Sequence, residues 1–248
     1  MADEFIAGRN SVMEALKSDR SVNKLLVSKG ERHGSIKEVI GLARSKGLVV
    51  QEVEPSKLDS LSNGVRHQGV VAFVSPVEYT ALEEILVRTE AAGEDPLLVL
   101  LDELEDPHNV GAILRTADAA GVHGVLIPKR RSCPLSATVA RTSAGAVEYV
   151  PVARIGNVTQ TLELLKKKGF WIVGADMTGE KNYFEADLTG PLVIVVGSEG
   201  QGIGRSTKEH CDFLVRIPMR GRISSLNASV ACSLLVYETV RQRYGKRK

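Results

Sequence analysis

The side chains of this chain that could do chemistry gather in three short stretches. LDELEDPHNVGAILRTADAAGV (101–122) carries Asp106-Pro107, Asn109 and Arg115; VVGSEGQGIG (195–204) sets Glu199 among glycines; RIPMRGRISSLNASVACSLLVYETV (216–240) holds Arg220, Arg222, Ser224, Ser225 and Asn227. A glycine-rich turn after an apolar run such as Leu192–Val196 usually cradles a phosphate. Two phosphate motifs are close in spacing, and both fail. Gly197 and Gly202 match the ends of Gly-x4-Gly, but Ile203 stands where a P-loop needs lysine. Gly200, Gly202 and Gly204 read Gly-x-Gly-x-Gly, and the acid that a dinucleotide site needs about 20 residues on is replaced by Arg220-Gly221-Arg222. Glu199 also opposes an anion there.

In the first stretch, Asp106-Pro107 makes a turn, and Asn109 stands where the N-cap of a helix over Val110, Ile113, Leu114 and Ala117 is expected, with Gly121 as its stop. Arg115 falls on the second turn among Gly111, Ala112, Thr116 and Ala117, which leave its guanidinium accessible. In the third, a helix is expected from Leu226 to Tyr244, capped by Ser225 or Asn227. A cap explains one polar side chain. It does not explain two arginines, two serines and an asparagine together.

These loops need elements to hold them. LLVLL (97–101), GVLIP (124–128), FWIVGA (170–175), LVIVV (192–196) and FLVRIP (213–218) read as strands. Helical patterns lie around 110–120, 136–143, 157–168 and 204–210. Continuous apolar strands alternating with helices predict a mostly parallel α/β sheet covered on both faces. Residues 1–76 form a smaller α/β unit: helix VMEALKS, strand VNKLLVS, amphipathic helix SIKEVIGLARSKG, and strands LVVQEV and VVAFV. Residues 77–95 read as a connection, partly helical around Ala81–Glu90, leading into a domain of 96–248.

The 248 residues contain 43% hydrophobic residues, enough for a sizeable core, and no apolar run approaches a membrane span. With the acidic start MADEFIAGRN, a cytoplasmic protein is expected. Cys133, Cys211 and Cys232 form no CxxC pair and read as small apolar residues; the five histidines are scattered, so no metal site is expected. Net charge is +2, but basic residues cluster at Lys129–Arg131, Lys166–Lys168, Arg216–Arg222 and Arg241–Lys248. The lysine triplet reads as a solvated face, whereas arginines beside a glycine-rich loop suit phosphate oxygens.

Loop for loop, the chain resembles the SpoU/TrmH family of RNA 2′-O-ribose methyltransferases, in the knotted SPOUT superfamily. The first motif is Asp106-Pro107-x-Asn109-x-Gly111-Ala112-x-x-Arg115-Thr116-Ala117; the second is Val195–Gly200 with its glycine tail; the third is Ile217-Pro218-Met219 with Ser224–Ala231. The front of the chain, closing on His67-Gln68-Gly69-Val70-Val71-Ala72, is similar to the substrate-binding domain of the family's bacterial 23S rRNA guanosine methyltransferases, itself similar to the ribosomal protein L30e.

The resemblance implies a homodimer, a C-terminal trefoil knot, and S-adenosylmethionine bound there without a metal, leaving S-adenosylhomocysteine. It implies cofactor contacts at Ala175, Gly197, Gly200, Ile217 and Leu226, and catalytic roles for Asn109, Arg115, Glu199, Ser225 and Asn227. A guanidinium, with a pKa above about 12, is a poor base. Arg115 is therefore expected to act as a cation that holds a neighbouring phosphate and steadies the developing alkoxide. Arg9, Asn10, Arg220 and Arg222 are expected RNA contacts. The substrate expected is a guanosine of 23S rRNA, free or in a ribosome precursor. A tRNA or another rRNA site would use the same chemistry, and a non-catalytic RNA-binding or ribosome-assembly role is the alternative of another class.

Overall fold

The computed structural model describes residues 5–17, 21–30, 34–62, 64–75 and 77–245. Ser18, His33, Pro76 and the last three residues of the C-terminal basic cluster lie outside the described residues. The chain divides into two compact units, Met1–Glu78 with Pro134–Thr138, and Tyr79–Cys133 with Val139–Lys248.

In chain order, the elements up to Val74 are β1 (Phe5–Ala7), α1 (Arg9–Lys17), β2 (Val22–Ser28), α2 (Ser35–Ser45), β3 (Val49–Val53), α3 (Pro55–Ser62) and β4 (Val70–Val74). The strands form one mixed sheet in the order β1-β4-β2-β3. β4 runs antiparallel to both β1 and β2, and β3 runs parallel to β2. Side chains alternate across a strand. Leu25 and Val27 therefore pack with Val12, Leu16, Val39 and Ala43 on one face, while Leu26 packs with Leu58 and Val71 on the other. The helix read at SIKEVIGLARSKG is α2, with Ile36, Val39 and Ala43 buried. β1 and α3 were not anticipated. α3 opens on Pro55, at a position where the missing N–H costs no hydrogen bond.

The second unit contains α4 (Leu82–Ala92), β5 (Leu97–Leu101), α5 (Pro107–Ala120), β6 (Gly124–Pro128), α6 (Ala137–Thr142), β7 (Val152–Ile155), α7 (Val158–Lys167), β8 (Trp171–Ala175), β9 (Lys181–Asn182), β10 (Leu192–Val196), α8 (Arg205–Glu209), β11 (Phe213–Arg216) and α9 (Ala228–Tyr244). Residues Pro134–Thr138, including the start of α6, group with the first unit. The seven strands are ordered β7-β6-β5-β10-β8-β11-β9, and every neighbouring pair is parallel. All residues of β5, β6 and β10 are buried, as strands covered on both faces must be. α4, within the stretch read as a connection, buries Ile85 and Leu86 in this unit's core.

Two helix starts differ from the sequence reading. Asp106 caps α5, its Oδ1 accepting from the His108 N–H at 2.9 Å. Pro107 then takes the first helical position, so Asn109 lies inside the first turn and is 4% exposed rather than capping it. α9 begins at Ala228 with Asn227 as its cap, which leaves Leu226 in the preceding loop. β11 ends at Arg216, two residues before Pro218, which has no N–H for a ladder.

Candidate active site

Parallel strands deliver all their carboxyl ends to one edge of the sheet, and that edge is where open α/β sheets bind ligands. Leu101 of β5 pairs with Val196 of β10, Val195 with Gly174 of β8, and Val215 of β11 with Ala175 of β8. The loops after these four strands thus emerge side by side. They are the three chemistry-bearing stretches plus the residues after Ala175.

A cleft of ≈ 250 Å³ opens between them. All five expected cofactor contacts, Ala175, Gly197, Gly200, Ile217 and Leu226, line it, with Glu199, Ser224 and Ser225. Its floor is apolar: Val196, Val215, Ala228 and Ala231. The glycine-rich loop folds back on itself through paired hydrogen bonds, Ser198 N–H to Gly202 O at 3.0 Å and Gly202 N–H to Ser198 O at 2.9 Å. Gly197 permits this fold: a Cβ there would sit 2.0 Å from the carbonyl carbon and oxygen of Gly202.

Beside the cleft the three stretches are joined by side chains. Asn109 Nδ2 donates to Glu199 Oε1 at 3.0 Å, and Asn227 Nδ2 donates to Asn109 Oδ1 at 2.8 Å and to Glu199 Oε1 at 2.5 Å. Glu199 supplies only acceptors and the amides supply donors, so the triangle is mutually satisfied. Asn227 Oδ1 meanwhile accepts from the N–H groups of Ser229 and Val230, at 2.9 and 3.3 Å. One side chain caps α9 and completes the triangle.

Two carboxylates missed in the sequence brace the loops. Asp102, 4% exposed, accepts from the Gly204 N–H through Oδ2 at 2.9 Å, and its own N–H donates to Val196 O at 2.8 Å. Burial raises its carboxyl above the ordinary value, opposed by the Gly204 N–H and the Thr207 hydroxyl. Asp176 lines the cleft and pairs with Lys208 Nζ at 2.6 Å, its other oxygen taking the Thr178 N–H and hydroxyl. Burial pushes the Asp176 carboxyl up, but the Lys208 and Thr178 bonds outweigh it and hold it below its ordinary value. Both aspartates follow strand ends, Leu101 and Ala175, and that position is the signal that could have found them.

Arg115 is exposed on α5 and lines neither this cleft nor its neighbour against Asn109. The adjacent Thr116 hydroxyl meets that of Ser233 on α9 at 2.9 Å. Arg220 and Arg222 are exposed on the loop before α9. In the first unit, Asn10 is exposed, while Arg9 is tied to Gln68: its Nε donates to Gln68 O at 2.9 Å and its backbone N–H to Gln68 Oε1 at 3.2 Å. Among the described residues, no group of three or more His, Cys, Asp or Glu is placed to hold a metal, and no helix is long and apolar enough to cross a membrane.

The cleft's chemistry fits a nucleoside without phosphates. Among the described residues, Lys208 is the one cation on its lining and is already paired with Asp176, whereas Glu199 offers negative charge. Apolar walls suit a flat base, and carboxylates suit a cationic sulfonium or ammonium.

Comparison with known proteins agrees. Residues 96–237 match the SpoU rRNA methylase family, and residues 5–80 match the RNA 2′-O-ribose methyltransferase substrate-binding family. The chain is 48% identical over 240 residues to a putative TrmH family tRNA/rRNA methyltransferase, YacO, of Bacillus subtilis, covering 97% of this chain and 96% of that one. It is similar to the crystal structure of the SpoU methyltransferase AviRb of Streptomyces viridochromogenes with AdoMet, at 28% identity and a TM-score of 0.63, covering 99% of this chain and 92% of that one. It is also similar to an AdoMet-bound rRNA methyltransferase of Sinorhizobium meliloti, at 26% identity and a TM-score of 0.61, covering 97% and 87% of the two chains.

Proposed function

The chain belongs to the SpoU/TrmH family and is an S-adenosylmethionine-dependent RNA 2′-O-ribose methyltransferase, and from that premise we propose that its target is a guanosine of 23S rRNA. The observation that carries the catalytic reading is the Asn109–Glu199–Asn227 triangle at the cleft, which joins the three motif stretches in one hydrogen-bonded unit. The rRNA target rests on residues 1–76, a separate module ahead of the connection 77–95 and the catalytic residues 96–248. Such a module suits a large structured RNA better than a short stem-loop.

S-adenosylmethionine supplies a methyl group already activated on a positive sulfonium. The protein's task is then alignment and removal of the hydroxyl proton. Glu199 is held by two amides, its charge fixed at the cleft. Ser225 stands at the opening, where a ribose oxygen arrives. Backbone around Gly197, Gly200, Ile217 and Leu226 holds the cofactor. Arg115 supplies a cation for a substrate phosphate and the developing alkoxide. Because it lies away from its own cleft, it serves the partner's site in a homodimer. The exposed Val230 and Tyr237 of α9, 46% and 48% accessible, support an apolar interface on that helix. The strand order β5-β10-β8-β11, with α9 packed on β10, β8 and α5, supports a knotted path. Arg220, Arg222, Arg9 and Asn10 face the RNA, and the cytoplasm is where that RNA is made.

Mapping 2′-O-methylation on total RNA from cells with and without this protein tests the substrate. Loss at a 23S guanosine is expected; loss at a tRNA site alone overturns the rRNA target. Calorimetry separates an enzyme from a non-catalytic scaffold, since a scaffold would not take up S-adenosylmethionine at millimolar concentration.

A further inference from the structure

A second cleft of ≈ 350 Å³ adjoins the first, and Asn109, Ser198, Glu199 and Gln201 line it together with Glu103 and Arg131. Glu103 follows β5 and Arg131 follows β6, so both stand at the same sheet edge as the motif loops. The two loops are tied by the Cys133 N–H, which donates to Leu104 O at 2.9 Å. Arg131 Nη1 pairs with Glu103 Oε1 at 2.9 Å, with the arginine side chain 78% and the glutamate 36% accessible. Among the described residues, four non-glycine residues hold a positive φ, and Glu103 (54°) and Arg131 (50°) are two of them. Such backbone is strained for a residue with a side chain and concentrates at ligand sites. An exposed ion pair contributes too little to account for two strained residues.

We propose that Arg131 is an RNA-phosphate site of the methyltransferase, and that Glu103 occupies its guanidinium until a phosphodiester replaces the carboxylate. This rests on the RNA 2′-O-methylation reading above. A ribose presented at Ser225 and Glu199 carries its own phosphate within one sugar unit. Among the described residues, Arg131 is the one cation on the lining of the neighbouring cleft; Glu103, Glu105, Asp106 and Glu199 repel a phosphate, so Arg131 alone could hold one there. The guanidinium fork fits carboxylate and phosphate alike, so exchange needs no new geometry. Arg130, exposed next to it, extends the positive edge outward. The Glu103 carboxylate then acts as a threshold: an anion too weak to displace it does not engage the cleft.

The test uses the full chain, a labelled RNA hairpin of about 20 nucleotides, and anisotropy across about 50–200 mM KCl. Arg131→Asn keeps a residue that tolerates positive φ and removes the charge. It is expected to weaken RNA binding about 5- to 10-fold at about 100 mM salt and to make the log–log salt slope shallower by about one. Glu103→Gln removes the competing carboxylate and is expected to tighten binding about 2- to 5-fold. Calorimetry with S-adenosylmethionine on the same proteins is expected to give unchanged affinity. A wild-type salt slope in Arg131→Asn overturns the proposal, as does unchanged or weaker RNA binding in Glu103→Gln. Parallel loss of cofactor affinity in Arg131→Asn also overturns it, because the pair would then brace the cofactor loop or hold the cofactor's own carboxylate. Absence of RNA methylation by the wild-type protein counts against the enzymatic reading instead, and is read separately.

Discussion

Gly197→Ala is the sharpest test of how the cofactor loop is built. The new Cβ would lie 2.0 Å from the Gly202 carbonyl carbon and oxygen and 2.3 Å from the Ile203 nitrogen. Ordinary contact begins at about 3.4 Å, so the Gly202–Ile203 backbone must retreat by roughly 1.4 Å. The three nearest atoms are all backbone, not the end of a flexible side chain. The retreat breaks both Ser198–Gly202 hydrogen bonds, each contributing about 0.5–1.5 kcal/mol. It also pulls Gly204 from Asp102, leaving a buried carboxylate without its backbone donor. The loop moves at the cleft itself, so cofactor affinity should fall at least about 10-fold, equivalent to about 1.4 kcal/mol, with a lowered melting temperature. Gly200→Ala is the control: Gly200 has φ 83° but nothing within 4 Å of the added carbon, so only backbone strain of about 1–2 kcal/mol is introduced. Calorimetry with S-adenosylmethionine reads both. Wild-type affinity in Gly197→Ala would refute the reasoning, as would a larger loss in Gly200→Ala.

Asn227→Ser keeps a good helix cap but cannot span to Asn109 and Glu199; its melting temperature should stay within a few degrees of wild type while methylation drops at least about 10-fold. Lys208→Met strands the Asp176 carboxylate, whose side chain is 7% accessible, and should destabilise the fold by about 1–3 kcal/mol in urea. Arg115→Ala and Glu199→Gln should each be inactive alone, and a 1:1 mixture allowed to exchange subunits should regain about a quarter of wild-type activity if Arg115 serves the partner's site, since about half the dimers are then mixed and each has one intact site. Burial pushes the Cys211 and Cys232 thiols up to about 12. Both should resist a thiol reagent at pH 8 until the protein is unfolded. A raised folded-state value stabilises fully below the unfolded thiol value near 9 and loses that contribution as pH rises toward 12. The melting temperature should therefore fall above pH 9, and less steeply in Cys232→Ala.

Much of this could be read from the sequence because the central strands are buried on both faces. LLVLL, GVLIP and LVIVV have no polar side to disguise them. β7 escaped because Arg154 interrupts it, and that guanidinium is housed over the Tyr79 ring at 5.2 Å. β9 is a two-residue edge pairing with no periodicity to detect. The misplaced cap of α5 came from weighting Asn109 over Asp106-Pro107, although proline at the first helical position is itself a start signal. The residues expected to contact the cofactor were legible as motifs. Their convergence depends on β10 lying between β5 and β8, which nothing local encodes. Asp102 and Asp176 were legible only by their place just after strands; by residue type each looks like an ordinary loop acid until the backbone it holds is known.

Asn227 ties the start of the last helix to Asn109 and Glu199, a link that a chain emerging from the ribosome lacks until residue 227 is made. Synthesis runs from the N-terminus, so Ala175 and Gly197 are made before the residue that joins the three stretches. A nascent chain, or one cut short ahead of Asn227, can make RNA contacts through its first unit but lacks both the helix start and the closed triangle. A chain truncated ahead of Asn227 is therefore expected to bind RNA without transferring a methyl group; methylation by such a truncated chain would show that the triangle is not needed for catalysis.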